Sequence, residues 1–138
     1  MRRMSQLWLS TLFLFLMGCT SLSAMKSVDL RNTSEFPNYD ISAVVDDTCL
    51  QLLVKSDKRT RDEFIAQWEN ITDEELVMLW LWHNGEVREI YRLPPQTLAR
   101  SSLLDGMGIA VISELSGKCL FSQVVTGASM SDVIQPLP

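Results

Sequence analysis

LVMLWLWHNGEVREIYRL, residues 76–93, can be read two ways. Thr72 and Glu75, just ahead of it, are spaced as a capping box, the arrangement that satisfies two orphan amides at a helix start. Against that, Asn84-Gly85 stands between two apolar arms, the strongest short-range signal for a β-hairpin. The arms are rich in Trp, Leu, Val, Ile and Tyr, which suit a pleated surface better than a helix face. The hairpin reading is preferred. A two-residue turn at Asn84-Gly85 then pairs Trp82 with Val87, Trp80 with Glu89 and Met78 with Tyr91, and sets Leu79 against Ile90 on the other face.

Upstream, CLQLLVKS closes an apolar run, so Val44 to Lys55 reads as a strand carrying Cys49. TRDEFIAQWENI follows, with Thr60 and Glu63 in capping-box spacing and Phe64, Ile65, Trp68 and Ile71 at helical intervals, which predicts a helix. Downstream, Pro94-Pro95 ends the hairpin. PQTLARSSLLDGMG predicts a short helix with Pro95 in its first turn and Gly106 as its C-cap. GIAVISELSGKCLFSQVV reads as strand, Ser116-Gly117 turn and strand, with Cys119 opening the last strand. The expected fold class is α+β: a mainly antiparallel sheet of about five strands with one or two helices packed on one face, in the order β-α-ββ-α-ββ. Residues 41–126 form this domain, flanked by a tether over 19–40 and a loose C-terminal tail over 127–138.

The hairpin has two apolar faces. Met78, Trp80, Trp82, Val87 and Tyr91 share one with Glu89. Val77, Leu79, Leu81 and Ile90 share the other with Arg88 and Arg92. If the helices cover the tryptophan face, a Leu/Val/Ile stripe rimmed by arginines stays outside, the kind of patch that marks a partner surface. Trp68, Trp80 and Trp82 are read mainly as core, leaving one, Trp82, as an interface candidate.

The chain begins with basic MRRM, continues through the apolar run LWLSTLFLFLM and reaches Gly18-Cys19. An apolar run this short suits a signal peptide over residues 1–18 rather than a membrane span, which needs about twenty residues. Leu16-Met17-Gly18-Cys19 resembles the lipobox of bacterial lipoproteins. The resemblance implies that Cys19 becomes the first residue of the mature chain, carrying diacylglycerol and an N-acyl group such as palmitate. Ordinary cleavage after Ser23 is the alternative. Thr20 in second place, rather than aspartate, implies the periplasmic side of the outer membrane. Export puts Cys49 and Cys119 in an oxidising compartment, so a Cys49–Cys119 disulfide is expected.

The formal net charge is −5, and removing Arg2 and Arg3 with the signal segment leaves −7. Such a chain gains nothing by charge from nucleic acid or anionic lipid. His83, the single histidine, falls at the predicted turn, and both remaining cysteines are assigned to the bridge, so no nucleophile-base pair stands out. No CxxC or histidine cluster suggests a metal. Asp46-Asp47 has no nameable further calcium ligands. GMG at 106–108 lacks the downstream glycine, lysine and hydroxyl of a phosphate loop.

These readings point to no enzyme, no metal and no cofactor beyond the covalent lipid. They favour an outer-membrane-anchored binding or assembly factor with a protein partner in the envelope. In size, anchor, single disulfide and layout it is similar to pilotins, the small lipoproteins that escort secretin subunits. The alternative is an immunity, exclusion or inhibitor lipoprotein that blocks a toxin, phage or lytic enzyme.

Overall fold

The computed structural model describes residues 25–30, 36–59, 62–126 and 129–134. The expected signal segment over 1–18, the lipobox-like stretch ending at Cys19, and Thr60 lie outside the described residues. The strands are β1 (Lys26–Asp29), β2 (Glu63–Asn70), β3 (Leu76–Leu81), β4 (Val87–Leu93), β5 (Thr97–Leu104), β6 (Gly108–Ile112), β7 (Cys119–Val124) and β8 (Ser129–Ile134). Among the described residues the only α-helix is α1 (Asp47–Leu52), preceded by a 3-10 turn at Ile41–Ala43. The strands make two four-stranded sheets, ordered β1-β5-β2-β8 and β4-β3-β6-β7. The α+β expectation of one or two helices packed on a five-stranded sheet is therefore corrected: the fold is mostly β, and the one described α-helix has six residues.

Both helix predictions fail for the same reason. β2 alternates in burial, with Phe64, Ala66, Trp68 and Asn70 inside and Ile65, Gln67 and Glu69 towards solvent. Ala66 is small and Asn70 polar, which hides the period of two. β5 repeats the pattern with Thr97, Ala99, Ser101 and Leu103 inside. These two strands pair antiparallel along their whole length, and β8 adds in parallel on the far side of β2. Hydrogen bonds to distant segments override the local helical preference. Pro95 sits in the turn before β5, followed by Gln96 at φ +50.

The expected strand from Val44 to Lys55 is corrected too. Asp46 caps α1, its carboxylate accepting from the Cys49 amide at 2.8 Å, which satisfies an orphan donor of the first turn. Two stretches outside the expected 41–126 domain join the sheets: β1 runs parallel to β5, and β8, inside the expected tail, runs parallel to β2.

The 76–93 hairpin forms, with a different turn. Trp82 N donates to the Glu86 carbonyl at 2.8 Å and Gly85 N to the Trp82 carbonyl at 3.1 Å, so three residues, His83 to Gly85, make the loop. Gly85 takes φ +94, the left-handed position this loop needs. Pairing shifts by one residue, to Leu81 with Val87, Trp80 with Arg88 and Leu79 with Glu89. A bulge between Met78 and Leu79 leaves Ile90 unpaired and restores the expected partnership of Met78 with Tyr91.

The molecule has three layers. Phe64, Trp68 and Leu103 of the first sheet meet Met78, Tyr91, Ile109 and Val111 of the second in the main core. On the opposite face of the second sheet, Val77, Leu79, Leu81, Ala110 and Ile112 pack beneath Ile41, Val45 and Cys49. A sheet covered on both faces needs apolar residues at consecutive positions, and LVMLWL and GIAVI supply them. The Cys49–Cys119 disulfide is present, with Cα atoms 5.1 Å apart, and ties α1 to β7. Chain also crosses the end of β6: a Cβ at Gly108 would collide with the Val54 carbonyl and the Lys55 backbone. Ser56 fastens this crossing. Its hydroxyl accepts from the Gly108 amide at 2.8 Å and the Trp80 indole at 2.9 Å, and donates to the Leu81 carbonyl at 2.5 Å.

Candidate functional site

The stripe expected to meet a partner is interior. Val77 and Leu79 are 0% exposed, and Leu81 and Ile90 are almost as deeply buried. The stripe also divides: Val77, Leu79 and Leu81 lie under the 41–49 segment, while the bulge turns Ile90 into the main core. Arg88 leaves the stripe altogether. Opposite Trp80 in register, it sets its guanidinium 4.9 Å from the centre of the Trp82 ring, a cation–π contact, and pairs with Glu86 at 3.2 Å. Trp82 in turn lies 4.7 Å from Trp80, centre to centre. Trp68 is fully enclosed against Phe121. The free apolar face implied by the sequence does not exist because residues 39–53 cover it.

Arg92 remains at the surface as the hub of an ionic cluster. Its Nε donates to Glu89 at 2.7 Å, and its terminal nitrogens reach Glu75 at 3.1 Å and Glu114 at 3.3 Å. The Tyr39 hydroxyl donates to Glu114 at 2.7 Å. Bonds from Arg92, then from Tyr39, hold the Glu114 carboxyl below the usual carboxylate range. Partial burial, reinforced by the bond to Glu114, pushes the Tyr39 phenol well above its ordinary value. Three carboxylates against one guanidinium leave this corner negative. The cluster pins the Tyr39 stretch to the second sheet and presents no nucleophile.

Beside it, the β2–β3 loop and the β6–β7 turn form the two walls of a cleft of about 500 Å³. Ile71, Thr72, Asp73 and Glu74 make one wall, and Leu115, Ser116, Lys118 and Leu120 the other. Leu115 is 84% exposed at the tip of its turn. Both walls are held from behind. Asn70, itself buried, donates through Nδ2 to the carbonyls of Glu74, Leu93 and Pro94, while its Oδ1 accepts from the amide and hydroxyl of Thr72. Gln96 Nε2 donates to the Ile71 carbonyl at 2.8 Å and to Asp73 at 3.3 Å. Across the cleft, Gly117 N donates to the Ser113 carbonyl, Ser116 N to the Ser113 hydroxyl, and Asp46 N to the Gly117 carbonyl. A cleft set in advance loses little ordering entropy when it is filled.

A second hollow of about 320 Å³ flanks the disulfide, lined by Asp46, Thr48, Cys49, Leu52, Lys118 and Cys119. Lys118 borders both hollows. Leu52, 54% exposed, gives this second hollow an apolar side chain of its own. The sequence reading missed these residues; a leucine inside the polar turn SELSGK was the available signal. His83 occupies the hairpin tip, at the opposite end of β3. Among the described residues no group of three His, Cys, Asp or Glu side chains is placed to hold a metal ion. No protein-family model matches this chain, and a search of curated proteins returns no match to it.

Proposed function

We propose that the chain is a non-enzymatic binding factor, tethered by lipid on Cys19 to the periplasmic side of the outer membrane, and that it engages an envelope protein at the Leu115 cleft. The observation that carries the reading is Leu115 itself, 84% exposed on a turn whose backbone is internally bonded. Burying a leucine on binding contributes about 1.5–3 kcal/mol, and a turn already held by its own hydrogen bonds loses little entropy when a partner engages it. Capture by the Val77-Leu79-Leu81 stripe is set aside, because those side chains are core. Of the likeness to pilotins, size and the disulfide stay, the lipid anchor is part of the proposal, and the ββαββ layout is lost; a secretin-type subunit is the partner class it implies.

A second reading, an immunity, exclusion or inhibitor lipoprotein, is favoured by the acidic wall Asp73-Glu74 and the negative corner around Glu114. One experiment addresses both readings. A photo-crosslinking residue replaces Leu115 in living cells, and captured proteins are identified by mass spectrometry. A secretin or other pore subunit supports the assembly role, and a toxin, phage protein or lytic enzyme supports the inhibitor role. Capture of neither class, with equal background at position 62, sinks both. In parallel, labelled palmitate should be incorporated into the parent protein and not into Cys19→Ala; absence of label from the parent, or equal label in the variant, removes the lipid tether on Cys19.

A further inference from the structure

We infer that the partner presents an extended, cationic segment that lies along the open edge of β7, past the two hollows that Lys118 borders. The inference rests on the binding reading above and adds the chemistry of what is bound. β7 ends its sheet, and among the described residues its only strand partner is β6. Its other edge offers backbone donors and acceptors to a further strand. The strand opens with Cys119 and Leu120, which border the disulfide hollow and the cleft respectively. A segment added here would run past both hollows, with alternate side chains turned towards them.

The walls state what those side chains must be. Leu115 and Leu120 on one hollow and Leu52 on the other are separated apolar anchors. Asp73 and Glu74 on the cleft and Asp46 by the disulfide outnumber Lys118, on a chain whose formal charge is −5. A second copy of this chain would bring the same acidic walls and be repelled, and the lysine at the edge further disfavours self-pairing. A segment alternating basic and apolar residues meets both requirements.

The test uses the full-length protein in neutral phosphatidylcholine nanodiscs and two fluorescent octapeptides, one alternating Lys and Leu, the other Glu and Leu. The Lys/Leu peptide is expected to bind at least tenfold more tightly. Asp73→Lys with Glu74→Lys should weaken it tenfold or more. Asp62→Lys with Glu86→Lys, an equal change of charge at the opposite end of the sandwich, should leave it within twofold. Leu115→Lys, at an exposed position, removes an apolar anchor and adds a like charge, and should also weaken the Lys/Leu peptide tenfold or more if the first pair disturbs folding. Equal weakening by the distant pair, equal affinity for the two peptides, or binding of neither overturns the inference. If that happens while Leu115 still crosslinks an envelope protein in cells, the binding reading stands and only the partner chemistry falls. Tight, Lys/Leu-selective binding with no envelope protein crosslinked at Leu115 overturns the binding reading and, with it, the assignment of this edge to an envelope partner.

Discussion

The indole N–H of Trp68 donates to the Ser101 hydroxyl at 2.9 Å, joining two side chains that are both 0% exposed on neighbouring strands. This bond explains why serine faces inward in the middle of β5. It also explains why ARSSLL lacks an obvious strand alternation. Ser101→Ala orphans the indole donor, so a loss of about 1–3 kcal/mol is expected in chemical denaturation. Adding Trp68→Phe should not accumulate the full cost of both changes; strict additivity would show that the two do not communicate.

Leu79 separates the interior reading of the hairpin from the surface one. Leu79→Ala should cost about 2–5 kcal/mol, and Leu79→Arg should unfold the protein, because a charge would enter a closed layer. Leu115→Ala should alter stability by no more than about 0.5 kcal/mol. Thermal melts of the three variants are sufficient; a well-folded Leu79→Arg protein would contradict the three-layer packing.

Reduction of Cys49–Cys119 opens a link across 70 positions. The chain-entropy relation assigns about 4 kcal/mol to a loop of that size. The Cys49→Ser, Cys119→Ser protein should melt at a lower temperature, and hydrogen exchange should rise first over residues 41–53, the layer whose covalent tie is lost. Uniform exchange throughout the chain would place the bridge's effect elsewhere.

The Tyr39–Glu114–Arg92 chain makes stability depend on pH in both directions. Glu114 is more acidic folded than unfolded, so its contribution is present above the ordinary carboxylate pKa of about 4.3 and is lost as pH falls through the depressed folded value. Tyr39 has the opposite sign: its contribution is present below about pH 10 and fades as pH rises towards its elevated folded value. Glu114→Gln should flatten the acid limb of a stability profile, and Tyr39→Phe the alkaline limb. Limbs that coincide with the parent's would remove this assignment.

The Trp82 Nε1 and Arg88 Nε are buried with no hydrogen-bond acceptor among the described residues. Trp82→Phe removes one unmet donor and keeps a ring under the guanidinium, at the cost of some contact area. Stability is expected to rise or to fall by no more than about 1 kcal/mol. A larger fall would mean that the indole N–H has a partner.

Turns, bridge and hairpins were legible in the residues themselves. Asn84-Gly85 and Ser116-Gly117 mark chain reversals through backbone preferences that need no distant partner, and both reversals occur. Cys49 with Cys119 was readable from cysteine number and the implied compartment. What only the tertiary structure decided was the identity of 63–70 and 97–104 as strands, and that both apolar faces of the hairpin would be covered. EFIAQWEN becomes a strand because 97–104 and 129–134 bind its two edges. Val77, Leu79 and Leu81 become core because residues 41–49 fold back over them. Those outcomes depend on hydrogen bonds and burial between segments far apart in the chain, which residue order within either segment does not encode. The Leu115 cleft belongs with them, since its walls come from loops about forty residues apart.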